Sequence, residues 1–246
     1  MFQHQGIYFP DGEKHFPSWM DKNGEIVDGR GTYQIKKIRE ALKHCTRFGT
    51  ALDVGSHVGL WSMHLAKRFQ NVFAYEPVRA FRDCYLKNVF PDDWEQRAID
   101  EGWGRGGPST YDGAPHSCNV ELFPYALGRA PGRVAMKIPP LDGGLDTGGT
   151  HVSGDGDIEM RRLDDEFLCR DGAVDFIKLD CEGYEHEVIA GAEQLIRASK
   201  PCIIVEQKPH KLGPNFGIKG TPAVDLLKSW GYTVRREIGG DYVLTV

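Results

Sequence analysis

Apolar positions along the chain alternate between short continuous runs and stretches in which apolar residues recur every three or four positions. The short runs are typical of buried strands, and the spaced stretches are typical of helices that cover a sheet. Because helical stretches separate most of the runs, the pattern predicts an α/β fold with a mostly parallel sheet and helices on both faces. The predicted strands are 50–54, 71–75, 120–127, 174–179 and 201–205.

A hairpin is predicted at the C-terminal end of the chain. Residues 232–238 and 241–246 flank Gly239-Gly240, a pair that favours a tight turn between antiparallel strands. Thr221-Pro222 is typical of a helix start, with a cap residue followed by proline at the first helical position. The spacing of apolar residues predicts the other helices at 35–45, 58–69, 78–89 and 186–198.

The segments outside this alternation of strands and helices indicate a single domain with an N-terminal segment and loop insertions. Residues 1–31 are polar, with scattered aromatic side chains, and we expect an irregular N-terminal cap segment. Residues 32–246 then form a single domain, with glycine-rich loop insertions near 92–118 and 139–157. Long loops in compact domains are usually functional, so we expect both insertions to lie near a site. Whether the cap closes over that site is left open.

Composition narrows the classes of partner. The chain has 246 residues, with 30 Lys and Arg against 35 Asp and Glu, and a formal net charge of −5. Proteins that bind nucleic acids through phosphates usually carry the opposite balance, so the charge disfavours a nucleic-acid partner. A basic patch around Arg161-Arg162 and residues 208–219 keeps RNA or DNA open as an alternative.

Cellular context is predicted from short apolar runs and from the cysteines. Runs such as 202–205 are too short to cross a bilayer, so we expect no membrane association. Residues 1–10 lack the pattern of a secretory signal. The six cysteines contain no C-x-x-C pair, which is typical of reduced thiols and indicates a cytoplasmic protein. Cys181 is the best-placed candidate for a reactive thiol.

The end of the first predicted strand, Asp53 to Gly59, has the features of a nucleotide-binding turn. Gly55 allows a tight turn and Gly59 a close approach of helix to strand, so that free N–H groups of the helix N-terminus point at a ligand. His57 stands where a dinucleotide motif has its second glycine, which disfavours an NAD-dependent oxidoreductase. Asp53 would repel a phosphate and attract an ammonium, such as that of S-adenosylmethionine (SAM).

Acidic side chains also end the second and fourth predicted strands. Glu76 is placed to accept hydrogen bonds from both hydroxyls of a ribose, a role common to NAD and SAM sites. Lys178 lies in an apolar strand, and we expect it to pair with Asp180, two positions further along the same face. Titratable groups that converge at strand ends indicate an active site. The converging groups are Asp180, Glu182, Glu206, Lys208 and His210.

Taken together, these motifs resemble the FkbM-type SAM-dependent methyltransferases over roughly residues 50–210. The resemblance implies a class I methyltransferase fold, which is Rossmann-like and has a seven-stranded sheet with an antiparallel last strand. It also implies methylation of a hydroxyl oxygen, on a sugar or a natural-product-like acceptor. The motifs are 53–59, 75–77, 126–128 with Gly132, 163–165, and 178–183 with Glu185, Val188 and Gly191.

The resemblance also implies a role for each matching residue. Asp53, Gly55, Ser56, His57 and Gly59 would hold the methionine part of SAM, and Glu76 the ribose. Pro77, Tyr125 and Ala126 would lie near the adenine. Asp180 and Glu182 would face the methyl group and the acceptor as base or orienting group, with His210 as the alternative base.

The remaining expectations concern metals and alternative functions. No His or Cys ligand spacing is present, so we expect no metal, although Asp180 is placed for a divalent ion. The acceptor is expected to be a small-molecule or glycan hydroxyl. The alternatives are a nucleic-acid methyltransferase and a non-catalytic module that binds an adenosine ligand. Oligomeric state is left open.

Overall fold

The structure, a computed structural model, describes residues 1–90, 119–167, 173–208, 217 and 219–246. The predicted insertion near 92–118 and His210 therefore lie outside the described residues. A seven-stranded sheet forms the centre of the described chain. We label its strands in chain order as β1 (Thr50–Val54), β2 (Asn71–Tyr75), β3 (Val120–Phe123), β4 (Phe176–Leu179), β5 (Cys202–Glu206), β6 (Thr233–Ile238) and β7 (Asp241–Thr245).

The strands lie in the order β3-β2-β1-β4-β5-β7-β6. β1 pairs in parallel with both β2 and β4, and β7 runs antiparallel to β5 and β6. The predicted α/β sheet with an antiparallel last strand is therefore confirmed. The chain moves outward from β1 to β3 and then crosses back to β4, so the carboxyl ends of β1 and β4 flank the point where ligands bind in such sheets.

Helices occupy most of the predicted stretches, with different bounds. Only Ser62–Leu65 is α-helical within the predicted 58–69. The predicted helix 186–198 is divided in two at Gly191. The helices of the described residues are all too short or too polar to span a bilayer. They are α1 (His15–Asn23), α2 (Ile35–Leu42), α3 (Ser62–Leu65), α4 (Arg79–Val89), α5 (Leu163–Phe167), α6 (Glu185–Ala190), α7 (Glu193–Ser199) and α8 (Pro222–Ser229).

The prediction of one strand over 120–127 was wrong for its second half. β3 ends at Phe123, and Ala126–Leu127 leaves the central sheet to pair in parallel with Ile158–Arg161. Gly132–Val134 completes that small sheet. The other short strands are Phe2–His4, Ile7–Phe9, Ile26–Val27, Arg30–Gly31, Met136–Lys137, Pro140–Leu141, Gly144–Leu145 and His151–Val152.

The central sheet is covered on both faces. Because alternate residues of a strand point in opposite directions, each strand contributes side chains to both layers. Leu52 and Ile177 face one layer, which holds buried residues of α6, α7 and α8. Ala51 and Phe176 face the other layer, which holds buried residues of α2 and α3. This burial on both faces explains why the strands are continuous apolar runs.

The N-terminal segment 1–31 is more regular than predicted, since it contains two short paired strands, α1 and a small hairpin. Its buried Phe9 and Phe16 belong to an apolar cluster that includes Phe81 of α4. The side chain of Arg30 donates a hydrogen bond of 2.7 Å to the carbonyl of Asn88. The cap is therefore anchored to α4, although the predicted division of the chain at residue 32 stays a prediction.

Gly191, between α6 and α7, offers a test of close backbone packing. A Cβ at this position would lie 2.0 Å from the carbonyl oxygen of Gly128, a backbone atom that has no side-chain freedom to move away. We predict that Gly191→Ala lowers the free energy of unfolding by about 1–3 kcal/mol. Urea denaturation of the purified protein measures this change.

The matched control is Gly132→Ala, because a Cβ there would meet only the flexible side chain of Met160, at 3.5 Å. This control is expected to stay within about 1 kcal/mol of the wild-type protein. Equal effects of the two substitutions would contradict the explanation.

Candidate functional site

A cavity opens at the carboxyl ends of β1, β2 and β4, where the sequence placed the site. Its floor comes from the turns that follow these strands, and its cover comes from the N-terminal cap and the loop 146–150. The cavity is lined by the predicted site residues Gly55, His57, Glu76, Pro77, Tyr125, Ala126, Asp180 and Glu182, and also by residues that include His15, Phe16, Tyr33, Phe81 and Thr147.

The turn after β1 depends on Gly55. Its φ is +72°, and a Cβ would lie 1.9 Å from the carbonyl oxygen of Asp180, so the ends of β1 and β4 meet without room for a side chain. The backbone N–H groups of Gly55 and Ser56 both donate to the carbonyl of Tyr75 at 3.1 Å. The turn is thereby fixed against β2 as well as β4.

Lys178 pairs with Asp53, not with Asp180 as predicted. The two residues are register partners on β4 and β1, and their charged atoms lie 3.2 Å apart. The ammonium also donates to the carbonyls of Val54 at 3.2 Å and Gly55 at 2.6 Å. Burial lowers the pKa of Lys178, but the carboxylates of Asp53 and Asp180 outweigh it and the pKa is raised. Lys178 therefore stays charged and holds the turn.

Asp53, which was predicted to contact the ligand, does not line the cavity in this structure. Its side chain is fully buried, and it accepts a hydrogen bond of 2.6 Å from the hydroxyl of Ser62. Ser56 and Gly59 are also absent from the cavity wall. A Cβ on Gly59 would lie 2.5 Å from the side chain of Val89, so this glycine allows helix packing. These three residues support the turn from outside the cavity wall, and their predicted contacts with the ligand stay predictions.

Glu76 closes the same turn from β2. One carboxylate oxygen accepts the backbone N–H of His57 at 2.9 Å, and the other accepts the N–H of Val78 at 2.7 Å. Burial raises the pKa of Glu76 to about 7, although both N–H donors oppose the shift. Each oxygen keeps a second lone pair, so the side chain can still accept hydrogen bonds from a diol.

Asp180 and Glu182 lie on a tight turn that Glu185 supports from below. Glu182 and Gly183 have φ values of +52° and +111°. One oxygen of the buried Glu185 accepts the N–H groups of Cys181 and Gly183 at 2.9 and 3.0 Å. The other oxygen accepts from the amide of Gln207 at 3.0 Å, and burial raises the pKa of Glu185 to about 7. Glu185 is a supporting residue that the sequence marked only as part of a motif.

The converging acidic groups were correctly placed. Ligand atoms of Asp180, Glu182 and Glu206 lie within 4.8 Å of one another, a spacing that could hold a metal ion. Lys208 forms an ion pair with Glu206, which offsets part of the negative charge. Burial raises the pKa of the Cys181 thiol well above its usual range, so the structure disfavours the hypothesis of a reactive thiolate there.

The cap does cover the site, a question that the sequence left open. The ring of Phe16 stacks on that of His57 at 4.7 Å, and Tyr33 meets Phe16 edge-on at the same centroid distance. Trp19 contacts Tyr33 at 4.6 Å. The scattered aromatic residues in the cap were the signal for this arrangement, but no local pattern indicates which strand end they cover.

The comparisons with known proteins now bear on this site. The model of the methyltransferase FkbM domain matches residues 53–234, which is more than half of the chain. The chain belongs to the FkbM methyltransferase family. That match confirms the resemblance on which the sequence interpretation depended. Among curated proteins, none matches this chain significantly.

Solved structures similar to this FkbM-family chain share low identity with it. A methyltransferase FkbM from Methylobacillus flagellatus is 20% identical with a TM-score of 0.48, covering 80% of this chain and 43% of its own. This chain thus spans under half the length of that relative. Precorrin 8W decarboxylase from Methanobacterium thermoautotrophicum is 16% identical with a TM-score of 0.43. The match covers 97% of this chain and 98% of the decarboxylase. Magnesium protoporphyrin IX methyltransferase from Synechocystis, solved with bound SAM, is 12% identical with a TM-score of 0.40. The match covers 86% of this chain and 75% of that methyltransferase.

The raised pKa of Glu76 predicts a pH dependence of stability. Because its pKa rises from 4.5 to about 7 on folding, the stabilising protonated form is fully present below pH 4.5 and is lost as the pH rises through 7. Glu76→Gln is neutral at every pH. We therefore expect the free energy of unfolding of the variant, relative to wild type, to increase by about 2–4 kcal/mol between pH 4.5 and pH 8.

Urea denaturation of both proteins across this pH range measures the difference. The control is Glu193→Gln, since Glu193 is exposed on α7 and its surface ion pair with Arg197 contributes little to stability. A constant difference for Glu76→Gln as well would show that Glu76 titrates normally in the folded protein.

Proposed function

We propose that this chain binds SAM in the cavity and transfers its methyl group to a hydroxyl on a small-molecule or glycan acceptor. The observation that carries the proposal is that Glu76 after β2 and Asp180 and Glu182 after β4 line one cavity, on either side of the turn after β1. Glu76 suits a ribose, and the two carboxylates suit the reacting hydroxyl. The family match supports a methyltransferase reaction.

The placement of the cofactor follows from the cavity wall. Pro77, Tyr125 and Ala126 provide a mostly apolar surface for an adenine beside Glu76. The turn Gly55–His57 then lies next to the methionine part. A cavity floor edged by carboxylates suits a sulfonium nucleoside better than the pyrophosphate of a dinucleotide, which those charges would repel. These features favour SAM over NAD as the ligand.

When bound, SAM supplies a methyl group that is attached to a positively charged sulfur. The leaving group is S-adenosylhomocysteine. The acceptor oxygen forms the new O–C bond, the C–S bond breaks, and its electron pair stays on sulfur. Asp180 or Glu182 orients the acceptor hydroxyl and takes its proton. His210, the alternative base, lies outside the described residues.

The covered cavity supports a small acceptor. The rings of Phe16, Tyr33 and Phe81 line the same cavity as the carboxylates, so its wall offers an acceptor both apolar and polar groups. Such a cavity favours a small molecule or a terminal sugar over nucleic acid. Carboxylates directed at the reacting end favour an enzyme over a non-catalytic binding module. The ion pair of Lys208 with Glu206 favours a mechanism without a metal.

Calorimetric titration tests the proposed ligand. SAM and S-adenosylhomocysteine should each bind at one site, whereas NAD should not bind. Glu76→Ala should weaken binding of both by about 10–100-fold, because it removes the charged acceptor of the ribose hydroxyls. Binding of NAD, or unchanged affinity in Glu76→Ala, would refute the assignment.

Substitution of the two carboxylates tests the chemistry. Asp180→Asn and Glu182→Gln should leave the affinity for SAM near normal, while the variant that lacks the base should lose about 100-fold in turnover. Turnover is measured as release of S-adenosylhomocysteine with an acceptor found by screening hydroxylated metabolites. Asp142→Asn, at an exposed position that does not line the cavity, is the control and should keep full turnover. If both site variants also keep full turnover, neither carboxylate is the base.

A further inference from the structure

A second space, which we call the groove, lies next to the cavity. It is lined by residues 132–134, 137 and 151–155, together with Met160 and Tyr184, and its volume is about 760 Å³. Val152 and Tyr184 line both the groove and the cavity, so the two spaces are neighbours. Tyr184 follows Glu182 by two residues in the turn after β4. A molecule that places a hydroxyl in the cavity can therefore extend past Tyr184 into the groove.

Two short antiparallel strands separate the groove from the cavity. They are Met136–Lys137 and His151–Val152, with Lys137 opposite His151 in the register. Because successive side chains of a strand point to opposite faces, Met136 lines the cavity and Lys137 lines the groove. The pairing continues at Ala135, whose N–H and carbonyl both make hydrogen bonds across the pair, at 2.8 and 2.9 Å. The backbone that carries Lys137 is therefore fixed.

The charge of the groove differs from that of the cavity. Among the described residues that line the groove, Arg133 and Lys137 are cations and Asp155 is an acid. The cavity is lined instead by carboxylates, Asp180 and Glu182 among them. Arg133 and Lys137 are four residues apart in an extended segment, so both side chains lie on the same side of it. The groove is thus a local positive surface beside an acidic cavity.

Both cations of the groove have hydrogen-bond donors to spare. Arg133 and Lys137 are exposed. The guanidinium of Arg133 donates to the carbonyl of Asp157, which leaves other N–H groups of its five available. The ammonium of Lys137 makes no hydrogen bond or ion pair in the structure of the described chain. These donors suit an oxyanion, which accepts several charge-assisted hydrogen bonds at once.

The size of the cavity also indicates that an acceptor extends beyond it. Its volume is about 180 Å³, whereas pockets for drug-sized ligands measure about 300–1,000 Å³. A cofactor in the cavity leaves little of this space, so most of an acceptor has to lie outside. The groove is larger and adjoins the cavity at Tyr184. Complementary charge favours an anionic acceptor there over a neutral one.

We propose that the groove binds an oxyanion of the methyl acceptor, a phosphate or a carboxylate, through Arg133 and Lys137. That the anion belongs to a methyl acceptor rests on the proposed function. The anion site does not, because its two cations lie outside the cavity in which SAM is placed.

Titration of the full chain with inorganic phosphate, and separately with acetate, tests the anion site at constant ionic strength. We expect saturable shifts of the Nε–H signal of Arg133 and the amide signal of Lys137 in ¹H–¹⁵N NMR spectra. Tighter binding of phosphate assigns the site to a phosphate, and tighter binding of acetate assigns it to a carboxylate. Lys137→Met and Arg133→Met should each weaken binding by about 2–5-fold, as expected for an exposed ion pair.

The matched control is Lys36→Met. Lys36 is exposed on α2 and lines neither the cavity nor the groove, so its loss should leave the titration unchanged. Asp155→Asn removes the acid of the groove and should strengthen binding. Two results would overturn the anion site: no saturable shift with either anion, or equal weakening in Lys36→Met and Lys137→Met.

Paired acceptors test the substrate class. Release of S-adenosylhomocysteine is measured with glucose, glucose 6-phosphate and glucuronate, and with glycerol, glycerol 3-phosphate and glycerate. An anionic member should be methylated in preference to its neutral partner. The double variant Arg133→Met/Lys137→Met should raise KM for that acceptor by about 5–20-fold and leave kcat within about 2-fold, since the groove holds the acceptor away from the reacting atoms.

The failure of this proposal and that of the proposed function are distinguishable. If SAM does not bind, the proposed function fails, and the phosphate and acetate titrations still decide the anion site. If a neutral acceptor is methylated as well as its anionic partner, the methyltransferase assignment stands and the anionic substrate class is wrong. If none of the six compounds is methylated, the titrations decide whether the groove binds an oxyanion.

Discussion

The buried ammonium of Lys178 is the interaction on which the site depends. It joins the carboxylate of Asp53 on β1 to the carbonyls of Val54 and Gly55, and it does so from β4. A buried ion pair that loses one member leaves an uncompensated charge, at a cost of about 3–5 kcal/mol. Lys178 therefore fixes the two strand ends between which the cavity opens, and the glycine turn holds its shape because its carbonyls have a charged donor.

Buried carboxyl groups serve the same purpose elsewhere around the cavity. Glu185 accepts two N–H groups of the turn after β4, and Glu76 accepts the N–H of His57. Each turn carries backbone donors that regular structure leaves without a partner, and a carboxylate provides that partner. The cavity floor is thus a set of turns whose backbone is satisfied by charged side chains, which keeps the cavity-facing groups in fixed positions.

The fold was predictable because strands buried on both faces are continuous apolar runs. The close approach of Gly191 to the carbonyl of Gly128 was not, because the two residues are far apart in sequence. The same distinction applies to the site. Strand-end residues such as Glu76 and Asp180 could be predicted, since parallel strands end at one edge of a sheet. Asp53 was assigned to the ligand because a strand-end carboxylate looks the same in sequence whether it faces a cavity or a buried lysine.

One part of the cavity wall lies outside the region that matches the family. The family match begins at residue 53, so Glu13, Phe16 and Tyr33 lie outside the region that defines the family. These residues nevertheless line the cavity or bond to residues that do. The family match thus includes the turns that follow β1, β2 and β4, but it does not include the part of the wall that residues before 53 supply. Under the proposed function, the acceptor would meet this wall as well as the carboxylates, because methyl transfer requires the acceptor to lie in line with the breaking bond.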